Sequence, residues 1–352
     1  MTNYKQPWLL NAWKDVLFIL SPPFFCLLLI ALFPNEFQQS NQMSVVLWLI
    51  LVVFIDVAHV YSTLYRTYFN KSNLVNNQTL LIAIPLICYL IGIVIYNLDG
   101  LWFWRILAYL AVFHFIRQQY GFMKLYIRQD DARKWDRWID TLTIYSTTLY
   151  PIVFWHLKGD RNFNWFVEED FIQFQNETLL IVANVLYLIV IAIYLLKEIT
   201  SVFKKRAINF PKNLLVIGTG LSWYFGIVYF NGDLTFTLLN VVSHGIPYMA
   251  LVWFFEKKKD DEQKSHTKFY QIAFGKYGVL FFILAIVLLA YFEEGLWDSM
   301  VWKEHQTVFK PFSFLPQVND QLLLSLIVPL LVVPQATHYV LDGFIWKKKY
   351  HF

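Results

Sequence analysis

The run MSVVLWLILVVFIDVAHVYSTLYR, residues 43–66, decides the architecture. From Met43 to Ile55 it carries no charged side chain, and its length exceeds the roughly 20 residues that a helix needs to cross about 30 Å of hydrocarbon. Similar runs recur along the whole chain. Of the 352 residues, 57% are hydrophobic and only 15% charged, against roughly 45–50% and 25% in soluble domains. Backbone N–H and C=O groups in lipid must find partners within their own segment, which leaves helices as the spanning structure. The expected fold is therefore all-α, a polytopic integral membrane protein whose residues 1–352 form a single transmembrane helical domain.

Ten apolar segments are predicted as spans, over residues 15–33, 43–66, 79–97, 101–124, 140–157, 177–196, 213–230, 233–256, 270–291 and 321–346. Ser21-Pro22-Pro23 predicts a kink in the first, because proline lacks the N–H that the helix ladder needs. Met1 to Lys14 ahead of an apolar run resembles a retained signal anchor. Residues 127–139 place Trp135, Trp138 and Ile139 on one helical face, which predicts a helix lying on the inner leaflet. The segments 158–176 and 292–320 are predicted as outer loops.

Charge placement supports this layout. With the N-terminus in the cytoplasm, 23 of the 29 Lys and Arg fall on inner segments, four on outer ones, and Arg105 and Arg117 within spans. The inner group includes Lys204-Lys205-Arg206, Lys257 to Lys259 and Lys347 to Lys349. The positive-inside rule then predicts both termini cytoplasmic, in a multi-pass protein of the bacterial inner (cytoplasmic) membrane. The net charge of +4 reports topology and gives no sign of nucleic-acid binding. Cys26 and Cys88 both lie inside spans, which argues against a disulfide or a Cys-x-x-Cys metal site. No internal repeat or glycine-rich phosphate loop is present.

The polar residues inside the spans carry the functional signal. Among eight histidines, His266, His305 and His351 lie in loops or at the terminus, and His156 near an outer boundary. His59, His114, His244 and His338 occupy spans two, four, eight and ten, all running from outside to inside. They precede the first inner cation of their spans (Arg66, Lys124, Lys257, Lys347) by 7, 10, 13 and 9 residues. At about 1.5 Å per residue they sit ~10 to 20 Å above the inner boundary.

Each histidine also has polar residues about one helical turn away, where side chains share a face. Asp56 precedes His59, Arg117 and Gln118 follow His114, Asn240 precedes and Tyr248 follows His244, and Asp342 follows His338. A lone intramembrane histidine is ordinarily a hydrogen-bonded packing residue. Four at related depth, accompanied by ionisable groups costing about 2.5 to 3.5 kcal/mol each at mid-membrane, point to one shared polar site. A metal-bound imidazole usually donates its second N–H to a carboxylate or carbonyl, so these neighbours suit a supporting shell. Imidazoles with carboxylates fit iron, copper or zinc, and the lack of thiolate pairs argues against iron–sulfur or structural zinc. Ferrous iron (Fe2+) beside a lipid-soluble small-molecule substrate would use dioxygen to oxidise an isoprenoid or acyl chain. Asp56-Val-Ala-His59 is similar to the carboxylate-x-x-His unit of di-iron bundles.

The scattered single histidines, with FHFIRQQYGF at 113–122 and HYVLDGFIWK at 338–347, resemble the Brp/Blh family of membrane β-carotene dioxygenases or its uncharacterised bacterial relatives. That resemblance implies a multi-span oxidoreductase that cleaves carotene to retinal, with iron ligated by His59, His114, His244 and His338. No HxxxH or HxxHH cluster of the fatty-acid desaturases and hydroxylases occurs. Two other readings of the same residues stay open. One is a bis-histidine haem protein for electron transfer or quinol handling, with Arg105 and Arg117 near the propionates. The other is a proton-coupled transporter with broken helices at Pro22-Pro23, Pro247 and Pro334.

Overall fold

A computed structural model describes residues 5–37, 43–128, 130, 133–159, 161–204, 206–262 and 268–347. His266, His351, Lys205, Lys348 and Lys349 lie outside the described residues. Every regular element among the described residues is helical. The long ones are α1 (Ala12–Leu20), α2 (Pro22–Leu32), α3 (Val45–Arg66), α4 (Gln78–Leu98), α5 (Gly100–Tyr126), α6 (Lys134–Lys158), α7 (Glu177–Phe203), α8 (Phe210–Trp223, continued by the π-wound Tyr224–Tyr229), α9 (Asp233–Glu262), α10 (Gly278–Trp302) and α11 (Gln321–Ile345).

Each of the ten predicted segments is mostly helical, and among the described residues six helices (α3, α4, α7, α9, α10, α11) are long and apolar enough to cross a membrane. The pair α1 and α2, bent by 55° at Ser21, makes a seventh if the two form one span and not a re-entrant loop. The bend falls where the sequence predicts it, as Pro22 and Pro23 withhold two N–H donors just after π-wound Val16–Leu20. In the most apolar windows only 11% of α4 and 6% of α7 is buried within the protein, so these two helices turn most of their apolar surface to lipid.

Three expectations are corrected. Residues 134–139 are not a separate surface helix but the first turns of α6, with Trp135 and Trp138 exposed; helix propagation from 140–157 extends through them because no breaker intervenes. The ninth span begins at Gly278 rather than residue 270, because a turn at 275–277 separates it from the short helix Lys268–Phe274. The last predicted outer loop starts eleven residues later than residue 292, because α10 continues through a π-wound turn to Trp302.

The chain divides into two compact units. One comprises Met1–Met43 and Phe115–Pro247. Within it the buried Asp15 carboxylate accepts the N–H groups of Leu9 (2.6 Å) and Leu10 (3.0 Å) and the Tyr126 hydroxyl. Gly218 lets α8 approach α2, since a Cβ there would lie 2.7 Å from Pro23 Cγ. Lys212, buried, and Lys197, half-buried, share the Asp140 and Glu198 carboxylates, with Lys212 Nζ 2.5 Å from Glu198 Oε1 and 3.2 Å from Asp140 Oδ1. Two cations facing two carboxylates balance their charge, as burial demands. Arg161, in the segment before α7, donates to the carbonyls of Ile227 (2.5 Å) and Phe230 (2.6 Å) and closes the end of α8.

The other unit comprises Ser44–His114 and Tyr248–Phe352. Here α4 packs along α11, closely enough that a Cβ on Gly92 would come within 2.9 Å of Pro329 Cβ. Arg66, at the end of α3, is 1% exposed. Its guanidinium donates to Glu256 Oε1 (2.7 Å) and the Ile345 carbonyl (2.9 Å) between the rings of Phe255 and Trp346. Arg66 is thus a packed ion pair at the end of α3.

Candidate metal centre

In the second unit three helices deliver one histidine each, His59 from α3, His114 from α5 and His338 from α11, all buried. The α3 backbone is π-wound over Leu49–Val57 and returns to regular α-helix at Ala58; such winding is frequent next to functional sites because it re-aims side chains. The His338 ring centre lies 4.5 Å from that of His114 and 5.0 Å from that of His59. One ring nitrogen from each of the three lies within 4.8 Å of the others, and His338 Nε2 is 3.0 Å from His114 Nε2.

The His338–His114 separation suits a small cation. Two imidazole nitrogens each about 2.1 Å from one ion are roughly 3.0 to 3.4 Å apart at bond angles of 90° to 109°. Two neutral imidazoles in hydrogen-bond contact must otherwise share one proton, with the tautomers constrained. Haem ligation by the same pair would instead set the nitrogens on opposite faces of a macrocycle, about 4 Å apart across the iron. At 3.0 Å no ring fits between them.

The supporting groups come from the same unit. His59 Nδ1 is 3.6 Å from Asp56 Oδ1, as the i, i+3 spacing suggests. Asp342 departs from the expected pairing. Its Oδ2 lies 3.6 Å from Nδ1 of His114 and not beside His338, four residues away on its own helix, while its Oδ1 accepts from Trp346 Nε1 at 2.8 Å. The nitrogen Nδ1 of His338 is held by Thr63 Oγ1 (2.7 Å), which also contacts the Tyr248 hydroxyl (3.1 Å). Tyr248 stands edge-on to the rings of His59 and His338, at 5.9 and 5.1 Å, and Tyr339 lies against His114 at 5.0 Å.

The first unit holds His244, on the part of α9 one turn before Tyr248. It is buried, and its ring stacks on Phe115 with centres 3.5 Å apart and planes 6° from parallel. Phe115 directly follows His114 along α5. Gln118, one turn after His114, donates to the His244 carbonyl at 2.9 Å, and Gln119 to that of Ser243 at 3.4 Å. Asn240 donates to Phe236 within its own helix. Arg117 is corrected: it is exposed and donates to the Tyr145 hydroxyl (2.6 Å), because on α5 it lies off the buried face of His114 and Gln118. The remaining described histidines have other roles. His305 stacks on Trp48 at 3.8 Å, and His156 Nδ1 meets the Ile152 carbonyl of its own helix.

Sequence reasoning missed Thr63 and Tyr339, which touch the histidines directly. Thr63 follows His59 by four residues, so the one-turn rule applied to hydroxyls as well as to charges would have found it. Nothing in sequence distinguishes Tyr339 from the chain's many other aromatics. No protein-family profile, curated protein or solved structure matches this chain.

Proposed function

We propose that His59, His114, His244 and His338 hold one non-haem metal ion, iron by preference, in a membrane-embedded oxygenase that acts on a lipid-soluble substrate such as a carotenoid, isoprenoid or acyl chain. The carrying observation is the convergence of His59, His114 and His338 from three helices, with the two Nε2 atoms 3.0 Å apart. His244 enters as the fourth donor on the strength of its burial and its stacking on the residue after His114. The four-histidine set carries no charge, so a bound cation is balanced by Asp56 and Asp342, the carboxylates beside His59 and His114. Bound ferrous iron would supply activation of dioxygen. The protein's own part is orientation and exclusion of water. Thr63 fixes the ring of His338, Tyr248 and Tyr339 wall the rings, and the buried surroundings keep bulk solvent away. The resemblance to the Brp/Blh dioxygenases supports the same reading.

Metal analysis of anaerobically purified protein, combined with its visible spectrum, tests this. About one iron per chain without a Soret band is expected. A Soret band points to haem, and absence of metal under reconstitution with ferrous iron rejects the centre.

Two further outcomes are expected. Asp342→Asn and Asp56→Asn keep side-chain size and remove charge, so the protein folds but binds metal about 10 to 100 times more weakly. Metal titration in both variants measures this, and unchanged affinity would reduce both carboxylates to packing contacts. Ten spans with both termini cytoplasmic predict that reporter fusions at Met1 and Phe352 signal from the same, cytoplasmic side. A periplasmic signal at Phe352 would remove the common direction of the four histidine-bearing helices.

A further inference from the structure

Beside His338 the second unit contains a cavity of about 200 Å³ between α3, α4 and α11. Its rim is formed by partly exposed Tyr61, Leu64, Pro85 and Pro334, and its floor by buried Thr337 and His338. On α4 and α11 the rim lies at mid-helix, while Tyr61 and Leu64 sit five and two residues from the end of α3. Pro85 is seven residues from the start of α4, and Pro334 eleven from the end of α11, so each sits at least ~10 Å from the nearer helix end. On that side a membrane-spanning arrangement would place the mouth against hydrocarbon. The wall is held open by Tyr68, whose hydroxyl donates to the Leu81 carbonyl at 2.7 Å. That carbonyl is the one Pro85 leaves without its helical donor.

The cavity is not purely apolar. Thr337 is 7% exposed, and its Oγ1 has no hydrogen-bond partner among the described residues. This departs from the chain's own habit. Thr67, Thr143, Thr148 and Thr200 each return their hydroxyl to the carbonyl four residues back, the usual resolution for threonine in a helix. A buried hydroxyl left unpaired is costly, and a ligand oxygen would remove that cost.

We infer that this cavity is the binding site for a lipid chain bearing a hydroxyl or carbonyl oxygen, which enters sideways from the bilayer past Tyr61, Leu64, Pro85 and Pro334 and pairs its oxygen with Thr337 Oγ1 next to His338. The inference rests on the metal-site reading for its purpose and adds the substrate class, an oxygen-bearing lipid in place of a pure hydrocarbon, together with its route.

The test uses full-length protein in detergent and saturable binding of tritium-labelled decanol and decane, with metal content measured on the same samples. Wild type is expected to bind decanol. Thr337→Val, equal in shape but lacking the hydroxyl, is expected to bind decanol roughly five- to tenfold more weakly and decane with unchanged affinity. Leu64→Trp, which fills the mouth, is expected to lose both. Should Leu64→Trp lose its helical circular dichroism, Val333→Phe on the opposite rim takes its place. Equal decanol affinity in wild type and Thr337→Val, or saturable binding retained by a folded mouth-filling variant, overturns the assignment. Decanol binding by metal-free protein that takes up no iron would sink the metal reading alone, whereas iron without decanol binding would sink the cavity assignment alone.

Discussion

His338→Ala is expected to lower metal affinity by more than roughly 100-fold, beyond the 10- to 100-fold cost of losing a mere supporting partner, and to abolish any dioxygen-dependent oxidation. His338 has the largest expected effect because its ring lies within 5.0 Å of two other histidine rings and both its nitrogens are engaged, Nε2 toward His114 and Nδ1 with Thr63. Thr63→Val removes only the group that orients the ring, so it should cost metal affinity about tenfold while leaving the donor set complete. The two variants separate donation from orientation. His59→Ala, His114→Ala and His244→Ala complete the series, read by metal content per chain after purification. Stoichiometric metal in every one of the single variants would mean that the imidazoles form a packing cluster.

Glu256→Ala is expected to destabilise the second unit by about 3–5 kcal/mol, the typical penalty for stranding one member of a buried ion pair. Glu256 is 0% and Arg66 1% exposed. Beyond the Arg66 guanidinium at 2.7 Å, the carboxylate accepts Asn70 Nδ2 at 3.3 Å and the Tyr270 hydroxyl. Removing it leaves a cation between Phe255 and Trp346 with one carbonyl acceptor, that of Ile345. The double variant Arg66→Met/Glu256→Met should recover much of the loss, because no charge is then left buried. Denaturant unfolding in detergent, followed by circular dichroism, measures both. A cost below about 1 kcal/mol for Glu256→Ala would show that water or lipid headgroups reach Arg66 and that the pair behaves like one at the surface.

The sequence alone determined the helical, membrane-spanning character of the chain, the break at Pro22-Pro23 and the choice of His59, His114, His244 and His338 as candidates for one group. These follow from local physics. Apolar length sets a span, proline ends a hydrogen-bond ladder, and an ionisable residue in an apolar run needs a partner. Asp56 beside His59 was legible for the same reason, since three residues on one helix fix their own neighbourhood.

What only the tertiary structure decided is which group meets which across helices. Asp342 serves His114 and leaves His338 to Thr63, Arg117 turns out to Tyr145, and the partner of Arg66 is the buried Glu256. Within one helix a spacing of three or four residues limits contacts to a few, but helix rotation and axial shift are set by packing against neighbours distant in sequence. The unpaired hydroxyl of Thr337 belongs to the same category. A threonine reads as self-satisfied in any helix, and only the cavity packed against α3 and α4 reveals that this one is not.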